Sequence, residues 1–258
     1  MNYQDAFVQL GLKRTDCVYV ASSSISCFWN VNFVQEITES LIDYFRDGTI
    51  VMPAFSSDFR RYGFFDVKNS ISICGKVAEY FRGLPGVERN MFSPLHTVCC
   101  TGKLTNSIVS KKAESSYGIT SVFSMLKDVD ASIILIDCGF FDGVPFINCL
   151  EEQYQVPYRY WEKLSGEIIH KDGMIEKSDV MWFAKCIDNI PKGCSQFNEI
   201  IRRKCLTELG KQFYLEGTVN TVLYNRTKFV SFKISSFYEF FEPLIAKDNR
   251  AFIRKITK

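Results

Sequence analysis

CVYVASSSISCFWNVNFVQEITESLIDYFRDGTIVMPAF, residues 17–55, is the stretch on which the fold turns. Its opening, CVYVAS (17–22), is a short apolar and β-branched run that predicts a buried strand. In FVQEITESLIDYF (33–45), Phe33, Val34, Ile37, Leu41, Ile42 and Phe45 recur at helical spacing, which gives an amphipathic helix with one apolar stripe. Asp47-Gly48 ends that helix, and TIVMPAF (49–55) is the next strand. Strand, helix and strand in this order form a βαβ unit, whose crossover makes the two strands parallel neighbours.

The alternation continues outward. GKVAEYFRGLPG (75–86) predicts a helix with Gly83 and Pro85 as stop signals, HTVCCTG (96–102) a strand, TSVFSMLKD (120–128) a short helix, and ASIILIDCG (131–139) the most apolar strand of the chain. Continuous apolar strands separated by helices predict a mostly parallel central sheet covered on both faces, a three-layer α/β/α arrangement. The second half changes character. GEIIHKDGMIEK (166–177) predicts a hairpin around Asp172-Gly173, with His170 an exposed residue on its flank. SQFNEIIRRKCLTELG (195–210) predicts a helix closed by Gly210, and VNTVLYN (219–225) and KFVSFKIS (228–235) add short strands. No linker, repeat or low-complexity tract interrupts the pattern, so residues 1–258 are expected to form a single α/β domain with an elaborated C-terminal part.

Composition narrows the function. A formal charge of +2, with Lys and Arg scattered, offers no stripe for a nucleic-acid backbone and no membrane-binding patch. No apolar stretch approaches the ~20 residues of a membrane span, and the N-terminus lacks a basic segment followed by an apolar one, so a cytoplasmic protein is expected. The ten cysteines include no Cys-x-x-Cys, Cys17, Cys99, Cys100 and Cys138 lie inside apolar runs, and all ten are expected to be reduced, with no metal site.

Neither a Gly-rich phosphate loop nor a Gly-x-Ser-x-Gly elbow is present. In open parallel sheets ligands gather at the carboxyl ends of strands. Three segments are candidates for that edge. ASSSIS (21–26) follows the first strand, SPLHTV (93–98) holds His96, one of only two histidines, and LEEQY (150–154) sets Glu151 beside Glu152.

Nine or so segments, in order, resemble the aminoglycoside 3-N-acetyltransferase family, acetyl-CoA-dependent enzymes whose fold is unrelated to the more common acetyltransferase fold. LGLKRTDCVYVASSSIS (10–26) is similar to its Leu-Gly, Gly-Asp, strand, His-Ser-Ser opening, and DGTIVMPAF (47–55) to Gly-Thr-Leu-Val-Met-Pro-x-Phe. GKVAEYFRGLPGVERN (75–90) is similar to its Gly-x-(Ile/Val)-(Ala/Ser)-Glu-x-Phe-Arg and Pro-Gly-Val-x-Arg-Ser. SPLHTV falls at His-Pro-x-His-Ser-Val, YGITS (117–121) at Gly-x-x-Ser, CGFFDGVPFINCLEE (138–152) at the segment ending in His-x-Ala-Glu, and VPYRYWEKL (156–164) at Val-Pro-Tyr-Arg-Tyr-x-Lys. The chain departs from the family at Ala21, Asn90, Ser93, Thr97 and Asn148, three of which replace histidines.

The resemblance implies that His96 and Glu151 carry catalysis. A neutral imidazole of ordinary pKa, ~6.5, suits removal of the proton that an amine loses as it attacks a thioester. Glu151 on the other ring nitrogen would fix the tautomer and stabilise the imidazolium, as the acid of a hydrolase triad does. Ser22, Ser23, Ser24, Thr97 and Ser121 are the expected acetyl-CoA contacts, the Ser22 and Ser23 hydroxyls or loop N–H groups serving the oxyanion. Asp58, Arg60, Arg61, Asn148 and Glu152 are the expected acceptor contacts.

The loop SSDFRRYGFFDVKNS (56–70) carries Arg60, Arg61 and Lys68 against Asp58 and Asp66, an awkward neighbour for a polycation and a better one for an anion. The acceptor expected from this charge is therefore an amino sugar, nucleotide-linked and destined for a surface polysaccharide. Aminoglycoside acetylation giving antibiotic resistance is the alternative within the same chemistry. A degenerate member that binds CoA or a sugar without catalysis is the alternative outside it. The small-molecule acceptor and acetyl-CoA are the expected partners, with a homo-oligomer open.

Overall fold

The computed structural model describes residues 2–187, 190–216 and 218–254. In chain order its elements are α1 (Tyr3–Gln9), β1 (Cys17–Ser22), α2 (Phe33–Tyr44), β2 (Thr49–Pro53), α3 (Asp58–Tyr62), β3 (Phe64–Asp66), α4 (Lys76–Arg82), β4 (Glu88–Arg89), β5 (Val98–Gly102), α5 (Thr105–Val109), α6 (Val122–Asp128), β6 (Ser132–Ile136), α7 (Phe140–Gly143), α8 (Phe146–Gln153), β7 (Arg159–Ile169), β8 (Ile175–Lys185), α9 (Glu199–Leu215), β9 (Asn220–Tyr224), β10 (Thr227–Lys233) and α10 (Ile234–Lys247). A short 3-10 turn, Ile25–Phe28, lies between β1 and α2.

A seven-stranded sheet runs in the order β4-β5-β2-β1-β6-β10-β9. The βαβ unit is as the periodicity predicts: β1 is parallel to β2, with Val18 opposite Ile50, and parallel to β6 on its other side, with Val20 opposite Ile134. This parallel core is flanked by antiparallel strands. β5 runs against β2, β4 against β5, β10 against β6 and β9 against β10. The expectation of a mostly parallel sheet thus holds for the three central strands and gives way to a mixed sheet around them. The reversal of β5 follows from its connection: residues 54–97 do not form one crossover helix but a long excursion through α3, β3, α4 and β4.

Alternation along the strands places a helical layer on each face. Tyr19, Ala21, Val51, Ile133 and Leu135 pack with Phe123, Phe146 and Phe237 of α6, α8 and α10. Val18, Val20, Ile50, Met52, Ile134 and Ile136 pack with Phe7, Ile37, Leu41 and Phe81 of α1, α2 and α4. Both strand faces are apolar, as a sheet covered on both sides requires.

A second sheet, β3-β7-β8, is built on the hairpin read from Asp172-Gly173, but its strands are eleven residues each, far longer than the sequence pattern marks. Phe59, Phe65, Val67 and Leu95 of the 54–97 excursion pack on Ile168 and Val180 of that hairpin. His170 sits at its turn, with Nε2 2.9 Å from a Glu176 carboxylate oxygen.

Gly210 does not close α9, which runs on to Leu215. A Cβ there would lie 3.0–3.2 Å from the Phe140 ring, so this glycine allows α7 and α9 to approach. All ten cysteines are free thiols. Among the described residues no helix is long and apolar enough to cross a membrane, and no three metal-ligating side chains cluster.

Candidate active site

The reversal of β5 decides where His96 lies. A residue entering a parallel strand would sit at the amino edge of the sheet, away from the ligand side. Because β5 is antiparallel, Val98 pairs with Pro53, and the Ala54 N–H donates to the Thr97 carbonyl at 2.9 Å. The start of β5 therefore lies beside the carboxyl end of β2. His96 joins the loops that follow β1 and β6 at one edge, the convergence expected from the sequence, reached by a different strand direction.

The His96 ring is half-buried between two aromatics. Its centroid is 5.1 Å from Phe55, edge-on at 88°, and 4.6 Å from Tyr117, tilted at 41°. Nδ1 is buried without a hydrogen-bond partner among the described residues. Burial, with smaller contributions from the Arg159 and Lys185 charges, pushes the imidazole down to about 3, so an ordinary histidine pKa is not what the site provides. The ring is neutral throughout the physiological range.

The adjacent acids of α8 divide into opposite roles. Glu151 is fully buried, and its carboxylate is enclosed by cations. Arg159 Nη2 lies 2.7 Å from Oε2, Arg202 Nε donates to Oε1 at 2.7 Å and its Nη2 to Oε2 at 3.0 Å, and the Tyr158 hydroxyl donates to Oε1 at 3.1 Å. Burial alone would raise this carboxyl, but Arg159 and Arg202 hold it below the usual carboxylate range. No hydrogen bond joins it to His96, so the expected histidine–carboxylate pair does not form in this structure. Asn148, one helical turn earlier, accepts from Arg159 at 2.9 Å and Arg202 at 3.1 Å through its Oδ1. Its amide oxygen belongs to this clamp.

Glu152, about 100° further round the helix, faces a cavity of roughly 790 Å³. It is 6 % exposed; Oε1 accepts from the Ser115 hydroxyl, and Oε2 is buried without a partner among the described residues. Desolvation raises its pKa, against the opposing pull of Ser115 and Arg159. Gly118 closes this corner: a Cβ there would lie 2.6 Å from the Ser115 Oγ and 2.9 Å from the Glu152 Oε1. Glu114, Asp128 and Trp161 also line the cavity, as does Tyr117, whose ring packs on His96. Lys127, the cation on that wall, sits 3.8 Å from the centre of the Tyr238 ring.

The remaining expected residues are distributed as follows. Ser22, Ser23 and Ser24 are half-exposed at the end of β1, and Ser24 lines a second cavity of roughly 430 Å³ with Lys76 and Glu79. Thr97 is buried and donates to the Asn90 carbonyl, and Ser121 is buried as the N-cap of α6, accepting from the Ser124 N–H. Both hydroxyls are committed to the fold. Asp58 accepts from the Ser70 hydroxyl at 2.6 Å, Arg60 stacks 4.3 Å over the Trp182 ring, and Arg61 points into solvent. None of the three lines the acidic cavity.

Sequence reading missed Tyr117, Trp161, Glu114 and Asp128 on the cavity wall, and Arg202 in the clamp. Arg159 had a signal in the Val-Pro-Tyr-Arg-Tyr segment. Tyr117 and Trp161 also lie in segments that resemble the family, YGITS and VPYRYWEKL, but no role was read from them; Glu114, Asp128 and Arg202 carry no signal, because single residues on a helix or loop acquire a site only through packing.

Several solved structures share the fold. An AAC-IIIb structure with bound CoASH superposes with a TM-score of 0.76 at 16% identity, covering 95% of this chain and 94% of the other. The YokD protein from Bacillus subtilis gives 0.75 at 21% identity over 95% and 92%. A sisomicin-bound AAC-VIa structure gives 0.75 at 14% identity over 95% and 96%. No curated protein sequence matches the chain. The profile of the aminoglycoside 3-N-acetyltransferase family matches residues 20–246, which takes in every strand of the large sheet except the first three residues of β1, and both the Glu151 clamp and the Glu152 cavity. The chain belongs to the aminoglycoside 3-N-acetyltransferase family and is an N-acetyltransferase.

Proposed function

We propose that the protein transfers the acetyl group of acetyl-CoA to an amine of an aminoglycoside-type acceptor bound in the cavity beside His96. The observation that carries this reading is the charge of the cavity wall. Glu114, Asp128 and Glu152 face it, the last with an unpartnered oxygen, while the one cation among its lining residues rests on an aromatic ring. Several carboxylates around one space suit an acceptor with several ammonium groups. The anion-binding loop expected at Arg60 and Arg61 lies elsewhere, which removes the support for a nucleotide-linked acceptor.

In this mechanism Glu152 accepts a hydrogen bond from an ammonium of the acceptor and fixes the reacting amine. The amine nitrogen attacks the thioester carbonyl, the C–S bond breaks, and the nitrogen's proton passes through His96 to the departing thiolate. A base as weak as His96 does not hold that proton; it relays it, so accepting and releasing are concerted. Loop N–H groups and the Ser22 and Ser23 hydroxyls serve the oxyanion. Ser24 and Lys76, in the second cavity at the same edge, meet the polar groups of CoA. Glu151 acts on this site through structure, holding Arg159, Arg202 and Asn148 in place.

The test is thiol release from acetyl-CoA by the purified protein, offered aminoglycosides and nucleotide-linked amino sugars. Turnover on aminoglycosides is expected, with the Glu152→Gln variant raising the acceptor KM by roughly 10- to 100-fold, the worth of one hydrogen bond to a charged group. Turnover confined to the nucleotide sugars would refute the reading.

A further inference from the structure

The hairpin β7–β8 gives the acidic cavity one apolar wall, through Trp161 and Met181. Trp161 pairs across the hairpin with Phe183, their ring centroids 4.9 Å apart and tilted by 39°. Its indole Nε1 donates to Gln155 Oε1 at 2.9 Å. The ring is thus fixed at one neighbour and one edge, yet 39 % of the residue stays exposed.

Gln155 is itself an unusual residue for its position. It follows the C-cap Tyr154 of α8 with φ +46°, the left-handed conformation that glycine normally supplies after a helix. A side chain there is strained. The side chain that bears the strain is also the one that sets the indole, and its Nε2 donates back to the Glu152 carbonyl at 2.5 Å. One residue therefore ties the indole on the cavity wall to the last turn of α8, which carries the carboxylate with the unpartnered oxygen. Strain retained at a ligand wall is an observation from which a functional role can be argued.

We infer that Trp161 is a stacking platform for the ring of the acceptor, with Gln155 as its positioning residue. This rests on the reading that the acceptor is an aminated sugar or cyclitol. Such a ring has an apolar face of C–H groups and carries its ammonium groups on the rim. The face lies on the indole through dispersion and weak C–H contacts, and the rim meets Glu114, Asp128 and Glu152. A linear polyamine of equal charge satisfies the carboxylates but leaves the indole uncovered. The platform therefore selects a ring over a chain, which charge alone does not.

The experiment compares an aminoglycoside with spermine, the latter measured as substrate or as competitor, for the wild type and for Trp161→Ala, Trp161→Phe and Gln155→Gly. Trp161→Ala should raise the aminoglycoside KM roughly tenfold with kcat held within about twofold, the pattern of lost uniform binding. Trp161→Phe should lie between, and the spermine constant should stay unchanged in both. Gln155→Gly should keep or raise the melting temperature, because glycine relaxes the left-handed turn, while still raising the aminoglycoside KM. A purely structural glutamine would leave KM where it is. If the wild type acetylates aminoglycosides and Trp161→Ala leaves the ratio of ring to chain constants unchanged, the platform is wrong and the function stands. If no ring acceptor turns over, the functional reading fails and the platform with it.

Discussion

Substituting Glu151→Gln separates two readings of the same residue. As the acid that orients a catalytic base, it would leave a folded protein whose turnover falls by the ~10²–10⁴-fold typical of lost acid–base assistance. As the centre of the clamp, it removes charge from a carboxylate that meets Arg159 at 2.7 Å and Arg202 at 2.7 and 3.0 Å. The amide keeps one accepting oxygen and turns an NH₂ group toward a guanidinium, so at least two charge-assisted bonds go, at about 1.5–3 kcal/mol each. Both arginines are left buried and undercompensated, for which one-sided disruption of a buried pair costs about 3–5 kcal/mol. At roughly 2–4 °C per kcal/mol for a chain of this size, the melting temperature should drop by roughly 6–20 °C. Thermal unfolding followed by circular dichroism, beside thiol-release assays on the folded variant, measures both quantities. The clamp reading expects a large loss of stability and a kcat within a few-fold of wild type. A variant that melts like wild type but loses turnover would refute it. The pH dependence gives the sign independently. The Glu151 carboxyl is held below its unfolded value, so its stabilisation is present above the ordinary carboxylate value of ~4.3 and lost as pH falls through the lower folded value. Glu151→Gln should flatten the stability curve in that acidic window.

Two further outcomes follow from the structure. His96 is held at about 3, below the ~6.5 of an unfolded imidazole, so its burial in the neutral form adds stability that is full above pH ~6.5 and lost as pH falls through about 3; the pH profile of kcat/KM should show no acid limb near 6.5, and such a limb that vanishes in His96→Gln would contradict this. Gly210→Ala should destabilise by roughly 1 kcal/mol, because an overpacking cost of ~1–3 kcal/mol against Phe140 exceeds the ~1 kcal/mol gain in helix propensity; Phe140 is stacked on Phe241 at 5.1 Å and has little room to yield, and a raised denaturant midpoint would overturn the packing argument.

The central βαβ unit was legible because hydrophobic period reports burial directly: Phe33, Ile37 and Leu41 can share a buried face only on a helix, and both faces of β1 are covered. The direction of β5 was not, since an apolar run reads the same either way and the excursion before it holds no single crossover helix. Glu151 and Glu152 show the limit at a site. They are neighbours of one residue type, and what separates them is which side of α8 meets Arg159 and Arg202, eight and fifty-one positions away from Glu151. The resemblance to the family singled out helix α8 and His96, while the partners of each came from packing. The charge of the 56–70 loop was read correctly, but Arg60 lies on Trp182 of the second sheet and not at the cavity.

Because β5 returns against β2, residues 54–97 leave and re-enter the sheet at the same edge, their ends joined by the bond from Ala54 to Thr97. Topologically that excursion is one oversized hairpin connection, which pairs with the large sheet again only at the short edge strand β4. The entropy of closing a loop grows only with the logarithm of its length, so this segment can lengthen, shorten or change its charges while the ladder from Pro53 to Val98 keeps its register. His96 sits two residues before that ladder begins, on the fixed end of the loop. The loop can thus diversify while the imidazole at its end stays at a constant address.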